Sequence, residues 1–272
     1  MVLAILGVHI LSIFRVLKKK IPTMLNRIYI IFTLLFLVIA CKSEKKTDLK
    51  TASQSIVKHN YLTDEEKAEG WTLLFDGKTM AGWHLYNYPD TTSVWKVVNG
   101  ELYCNSKEGT GQHGDLVTDK EFENYELSFE WKLSESGNSG IFINVQERPD
   151  KPATWHTGPE YQLLDPSHMD YAIETKRSGC LYGFSPQLNA VETNPAGQWN
   201  TSTIKHIDGK IEFYLNGNLT AQADFTTDAW KERVAASSFK VFPEFGLATK
   251  GHIGLQDWFS DVWFRNIKIK AL

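Results

Sequence analysis

Between residues 126 and 133 the chain reads ELSFEWKL, and every second residue is apolar: Leu127, Phe129, Trp131 and Leu133 alternate with Glu126, Ser128, Glu130 and Lys132. A period of two marks a strand with one face in a core and the other toward water or a ligand. The same rule applied to residues 160–165 (EYQLLD) sends Glu160 and Gln162 to one face and Tyr161 and Leu163 to the other. Between these runs, residues 139–145 (SGIFINV) follow a Gly/Asn/Ser turn. A sheet presenting polar side chains on one face is the expected centre of the fold.

Turn chemistry extends the pattern along the chain. Asn99-Gly100, Asp208-Gly209 and Asn216-Gly217 each separate two strand-like runs. Such pairs tolerate positive φ at both turn positions, which the tightest hairpins require. The last two define a three-stranded meander over residues 206–222. Residues 71–86, 114–133 and 179–184 (GCLYGF) also read as strand-forming, as do the closing runs 251–258 and 261–269. Helix signals are few. Residues 61–70 carry a capping-box pattern, Thr63 as N-cap with Glu66 three residues on, and residues 229–238 follow Asp228 as N-cap. About a dozen short strands with almost no helix imply an all-β fold, a two-sheet antiparallel β-sandwich with one or two short helices. No internal repeat, heptad or second domain boundary is visible.

The first 41 residues behave differently. Residues 28–40 (IYIIFTLLFLVIA) are uncharged and mostly apolar, preceded by Arg27 and followed by Cys41. The run is short for a membrane span but suits a signal-peptide core. Its ending, Val38-Ile39-Ala40-Cys41, resembles a bacterial lipobox, in which the cysteine is acylated and anchors the mature protein to a membrane. Residues 1–41 are therefore expected to be a signal peptide, with Met24 a more natural start, and an uncleaved anchor helix as the alternative. Both place the domain outside the cytoplasm. Residues 42–60 have the composition of a flexible tether, and residues 61–272 form the folded domain. Five of the 29 basic residues precede Cys41, leaving 24 against all 32 acidic ones, a net charge of −8. Phosphate neutralisation needs clustered Lys and Arg, so nucleic acid is not an expected partner. Cys104 and Cys180 are compatible with either a disulfide or two buried thiols.

A family resemblance is carried by phrases in a fixed order: residues 74–83 (LFDGKTMAGW), 114–133 (GDLVTDKEFENYELSFEWKL), 137–145 (GNSGIFINV), 158–165 (GPEYQLLD), 197–204 (GQWNTSTI), 215–217 (LNG) and 251–258 with 262–269. In this order they are similar to the 3-keto-disaccharide hydrolase domain, over residues 71–272. The resemblance implies the jelly-roll, concanavalin A-like lectin/glucanase fold, with a carbohydrate groove on the concave sheet. It further implies action on glycosides oxidised at C3, in bacterial periplasms or on cell surfaces. Two departures stand out: family members usually carry Arg where this chain has Asn144, and often His-Gly where it has Trp258-Phe259.

A ketone at C3 acidifies the C2 proton. A base removes it, the C1 substituent leaves by elimination, and water adds back. Such a site needs a base near neutral pKa, donors for the enolate oxygen and an acid for the leaving group. Glu160 is the first candidate for a catalytic carboxylate, since partial burial would raise its pKa. His156 is a candidate acid or base, and Glu130 a second carboxylate, each with a bland alternative as a solvated loop His and a cross-strand ion pair. Gln162, Asn138, Asn144, Lys176, Gln256 and Asp257 are candidate substrate-binding groups. No HExxH, CxxC or EF-hand spacing marks a metal site, although a divalent ion on the keto oxygen would suit an enolate. The Glu-x-Asp-x-Glu strand of retaining glucanases is missing. The rival readings are a non-catalytic glycan-binding lipoprotein and a conventional glycosidase using Glu130 and Glu160. The ketone would have to come from an upstream sugar 3-dehydrogenase.

Overall fold

The structure is a computed structural model that describes residues 58–272 apart from 106, 108 and 109. The expected signal peptide, Cys41 and most of the tether lie outside the described residues. The last tether residues are not loose. Asn60 accepts from Asn266 N at 2.8 Å, donates its own N–H to Asn266 Oδ1 at 2.6 Å, and donates Nδ2–H to Gly100 O at 2.7 Å. The Asn60 side chain and backbone thus satisfy groups on the last strand, Val262–Ala271, and in the turn between Val98 and Glu101.

The strands, in chain order, are β1 (Trp71–Leu73), β2 (Trp83–Leu85), β3 (Trp95–Val98), β4 (Glu101–Cys104), β5 (Leu116–Thr118), β6 (Tyr125–Leu133), β7 (Asn138–Val145), β8 (Glu160–Leu164), β9 (Asn200–Ile207), β10 (Lys210–Leu215), β11 (Asn218–Asp224), β12 (His252–Leu255) and β13 (Val262–Ala271). They form two sheets. One is eight-stranded, ordered β11-β10-β9-β6-β13-β4-β3 with β1 also on β13; the other is five-stranded, ordered β2-β5-β12-β7-β8. Every ladder is antiparallel. This is the two-sheet sandwich expected from the alternation and the turns.

Local sequence explains the elements. β6 buries Tyr125, Leu127, Phe129, Trp131 and Leu133 and turns the residues between them outward. The three hairpin turns take positive φ at both central positions: Asn99 and Gly100, Asp208 and Gly209, Asn216 and Gly217. The core between the sheets is aromatic, with Trp95, Phe129, Trp131, Tyr161, Phe213 and Phe264 all fully buried. Trp131 Nε1 donates to Ser202 Oγ at 2.8 Å, and Tyr161 OH also meets Ser202 Oγ at 2.8 Å, so the polar tips are satisfied.

Two short α-helices complete the described chain. α1 (Asp64–Ala68) has the full capping box at Thr63 and Glu66. α2 (Asp228–Ala236) is capped by Thr227, whose Oγ1 accepts from Trp230 N at 3.2 Å, rather than by Asp228. The hydroxyl one residue earlier reaches the third helical amide, and Asp228 occupies the first turn, where its charge complements the helix dipole.

β8 is the edge strand of the smaller sheet, and the run read as a strand at residues 179–184 covers it instead. Gln162 N donates to Cys180 O at 3.1 Å, Gly179 N to Gln162 O at 2.9 Å and Tyr182 N to Glu160 O at 3.0 Å. The segment makes one β-bridge, Tyr161 with Leu181, and otherwise turns. Covering an edge in this way removes a template for unwanted pairing. Cys180 in this segment and Cys104 on β4 are both free and buried. Of the two readings left open, the pair of buried thiols is the one observed.

Candidate active site

The outward face of the five-stranded sheet carries the groove. Glu160 and Gln162 of β8 point away from the core, as the alternation requires, while Tyr161 and Leu163 point into it. All five β8 residues are nevertheless buried, because loops roof the polar face. A cavity of about 510 Å³ results, lined by Asn138, Glu160, Gln162, Lys176, Tyr182 and Gln256 and walled by Trp155, Trp258 and the apolar side chains of residues 239–242.

Glu160 is the chemical centre of this cavity. It is 7 % exposed, and Oε1 has no hydrogen-bond partner among the described residues. Burial pushes its carboxyl well above the ordinary range, the negative charge of Asp115 raises it further, and the Gln256 side chain offsets part of the rise. Space for this carboxylate is made by Gly140 on the neighbouring strand: a Cβ there would lie 2.0 Å from Glu160 Oε1. Gly140 has ordinary strand geometry, so the glycine is required by volume. Gly140→Ala is expected to keep the fold and to lower turnover by about 10²-fold by displacing the carboxylate by an ångström or so. A thermal melt alongside a turnover measurement checks this, and unchanged turnover would show that the carboxylate has other room.

The amides beside it are ordered. Gln162 Nε2 donates to Asn138 Oδ1 at 2.8 Å, Ser139 O at 3.2 Å and Leu163 O at 3.0 Å. This leaves the Gln162 carbonyl oxygen and the Asn138 N–H groups to face a ligand. Lys176 lies on the rim, its Nζ 2.9 Å from Asp170 Oδ2 and over the Tyr182 ring.

A second compartment of about 310 Å³ adjoins the first, sharing Trp155, Gln256 and Trp258. Its lining includes His113, Asp115, Asp257, Tyr86 and Tyr88. Asp115 accepts from Asp257 N at 2.9 Å and from the Thr154 hydroxyl. Desolvation, with a smaller contribution from the charge of Asp257, lifts Asp115 to about 6 against its hydrogen bonds. Asp257 Oδ2 lies 2.7 Å from His113 Nδ1 and accepts from Gly114 N at 3.1 Å, and its Oδ1 accepts from Phe259 N at 3.1 Å. Among the described residues no group of three or more His, Cys, Asp or Glu side chains is arranged to hold a metal ion.

The expected residues are thus sorted. Glu160, Gln162, Asn138, Lys176 and Gln256 line one cavity, and Asp257 lines the adjoining one. Three expectations are corrected. Glu130 lies on β6 of the other sheet, facing outward, where Arg265 Nε donates to its Oε2 at 2.7 Å and Asn266 Nδ2 to its Oε1 at 2.7 Å. It is the cross-strand ion pair and lines a different cavity from that of Glu160. Asn144 takes a positive φ at an irregularity in the β7–β12 register, which turns its side chain into the core. There Nδ2 meets His206 Nε2 at 3.1 Å and donates to Ala248 O at 3.0 Å. His156 stacks on Phe242 at 4.3 Å and lines neither compartment; its neighbour Trp155 lines both. Burial lowers its pKa, consistent with a packed ring.

Asp115 and His113 were missed. Asp115 sits inside the phrase GDLVT, whose Gly114-Asp115 start was a usable signal. His113 carries no local pattern, and only its partner 144 residues away reveals it.

Comparison with known proteins agrees with this architecture. A family profile described as a 3-keto-alpha-glucoside-1,2-lyase-like domain matches residues 70–270. A 3-keto-disaccharide hydrolase of Bacteroides thetaiotaomicron is 34 % identical over 232 residues, spanning 75 % of this chain and 79 % of that protein. A crystal structure from Parabacteroides distasonis, provisionally described as a glycosyl hydrolase, superposes with a TM-score of 0.72 at 36 % identity, covering 79 % of this chain and 100 % of that one. A second protein of that organism, described the same way, gives 0.57 at 25 % identity, over 74 % of this chain and 99 % of that one. The chain belongs to the family of 3-keto-alpha-glucoside-1,2-lyase-like domains, glycoside-acting enzymes built on this two-sheet sandwich.

Proposed function

We propose that the protein cleaves the glycosidic bond of 3-keto-glycosides, 3-keto-disaccharides among them, by elimination across C1–C2 followed by hydration. The observation that carries this reading is Glu160, a buried carboxylate in the lining of a ligand-sized cavity, whose Oε1, packed against Gly140, has no hydrogen-bond partner among the described residues. A carboxylate stripped of water and placed near Asp115 has the raised pKa that a base for an acidified C–H needs. In this reading Glu160 takes the C2 proton. The Asn138 amide and the Lys176 ammonium donate to the keto oxygen as it becomes an enolate, replacing water with fixed dipoles. Trp155 and Trp258 offer flat apolar faces to the sugar rings.

The Glu160–Asp115 pair supports a second reading, ordinary glycoside hydrolysis by two carboxylates. Purified protein incubated with a 3-keto-glucoside and with its unoxidised parent separates them. Cleavage of the oxidised sugar alone, with solvent deuterium entering C2 of the product, is the expected result. Cleavage of both at similar rates would favour the second reading.

The same proposal includes lipid attachment at Cys41, supported by the apolar run and the Val-Ile-Ala-Cys ending, which would hold the enzyme outside the cytoplasm. Loss of membrane association in Cys41→Ser is the corresponding result. A sugar 3-dehydrogenase must supply the ketone upstream.

A further inference from the structure

Elimination leaves a requirement that Glu160 does not meet. When the C1–O bond breaks, its electron pair stays on the departing oxygen, and a sugar or alkyl alkoxide is a poor leaving group unless it is protonated. The second compartment contains an arrangement suited to that task. His113 and Asp257, 144 residues apart in the chain, meet through Nδ1 and Oδ2 at 2.7 Å. The Asp257 side chain is fully buried and is held by the Gly114 and Phe259 amides, so it is a fixed post. The Phe259 ring packs on the imidazole at 4.7 Å between centroids. His113 therefore has one ring nitrogen tied down. Its Nε2 has no hydrogen bond among the described residues, and the ring is 27 % exposed on the wall of the compartment. A carboxylate that fixes one nitrogen of an imidazole fixes the direction and the protonation of the other.

The two halves of the groove are joined through consecutive residues. Gln256 lines both compartments and interacts with Glu160, while Asp257, next in the chain, holds His113. A two-ring substrate lying across Gln256 would have its C2 proton on the Glu160 side and its bridging oxygen toward His113.

We infer that His113, oriented by Asp257, is the proton carrier at the glycosidic oxygen. The inference rests on the elimination reading above. In the first half-reaction Glu160 accepts the C2 proton, and the C2 electron pair, delocalised as the enolate, then forms the C1=C2 bond. The C1–O bond breaks, and the Nε2 proton of the imidazolium passes to the departing oxygen, leaving neutral His113 with its Nδ1–H on Asp257. In the second half a solvent water attacks C1, and its proton returns to Nε2. The pair displaced from the C=C bond takes the proton held by Glu160 at C2. Both groups regain their starting states, and the sum is glycoside plus water giving 3-keto sugar plus alcohol.

The test compares two leaving groups. Methyl 3-keto-glucoside needs its oxygen protonated, whereas p-nitrophenyl 3-keto-glucoside does not, because nitrophenolate departs unaided. In His113→Gln, turnover of the methyl substrate is expected to fall by about 10²–10⁴-fold. Turnover of the nitrophenyl substrate should stay within about tenfold, as should solvent exchange at C2. Asp257→Asn, acting through the ring, should show the same pattern with a smaller loss. Equal losses on both substrates in His113→Gln, with C2 exchange falling in step, would make the residue structural and overturn the inference. Retention of methyl-glucoside turnover would overturn it too. Wild-type protein that cleaves neither oxidised substrate would instead remove the elimination reading beneath it.

Discussion

Glu160→Gln is expected to reduce turnover on 3-keto-glycosides by about 10²–10⁴-fold, the range for losing a positioned general base, without loss of folded structure. The amide has nearly the same shape, so Gly140 still leaves room for it. Its effect on stability should have the opposite sign to its effect on activity. Burial first, and Asp115 second, raise the folded-state pKa of Glu160 above its unfolded value. The fold therefore favours the protonated acid. That contribution is complete below the unfolded pKa and is lost as pH climbs through the raised folded value. Glutamine does not ionise, so nothing is lost in the variant. Melting temperatures of the two proteins should coincide near pH 4 and diverge at neutral pH and above, with the variant the more stable. Asp115, lifted to about 6, adds a loss of the same sign between the ordinary Asp value and about pH 6 in both proteins. Turnover of wild type should rise with pH along a limb centred above the usual carboxylate range. A variant that keeps wild-type turnover would show that Glu160 is not the base, and one that melts lower at pH 8 would show that it is not a destabilising buried charge.

Trp131→Ala carries the largest expected cost in stability, about 3–5 kcal/mol for a large aromatic removed from a packed core. The side chain is 1 % exposed and lies between the sheets. Removing it leaves a cavity and takes away the indole donor to Ser202, which still meets Tyr161 OH. Against a net stability of roughly 5–15 kcal/mol, the loss is a large fraction of the total. A domain of this size should melt about 6–20 °C lower, as read by calorimetry. Trp131→Phe keeps most of the volume and should recover more than half of the loss. A Trp131→Ala protein melting within 2 °C of wild type, on the order of 1 kcal/mol or less, would mean that the core collapses around the gap.

The two results probe different levels of the same strand pairings. Trp131 belongs to the alternation of β6, and its burial follows from a period that any reader of the chain can count. Glu160 and Gln162 were likewise assigned to one face of their strand by period alone, and they lie on one face. The hairpins at Asn99-Gly100, Asp208-Gly209 and Asn216-Gly217 were legible because positive φ at two consecutive positions selects few residue pairs. Strand identity, facing and the tight turns are local properties, set by sterics within a few residues. The chain therefore determined an antiparallel sandwich and the direction of its polar side chains without help from distant contacts.

Distant contacts decided the rest. Whether the polar face of β8 was open or roofed depended on loops before and after it in the chain, from Trp155 to Trp258, and the roof is what strips water from Glu160. Glu130 and Glu160 alternate in equally convincing strands, yet the order β9-β6-β13 against β12-β7-β8 puts them on opposite outer faces. Asn144, expected to bind substrate, is turned inward to His206 at the β7–β12 irregularity. His113 and Asp257, far apart in the chain, come together only when β5 pairs with β12. Period-two chemistry tells a side chain which way to point; which other side chains it meets there is set by sheet order and loop closure, and those are settled by the burial of the whole apolar core at once.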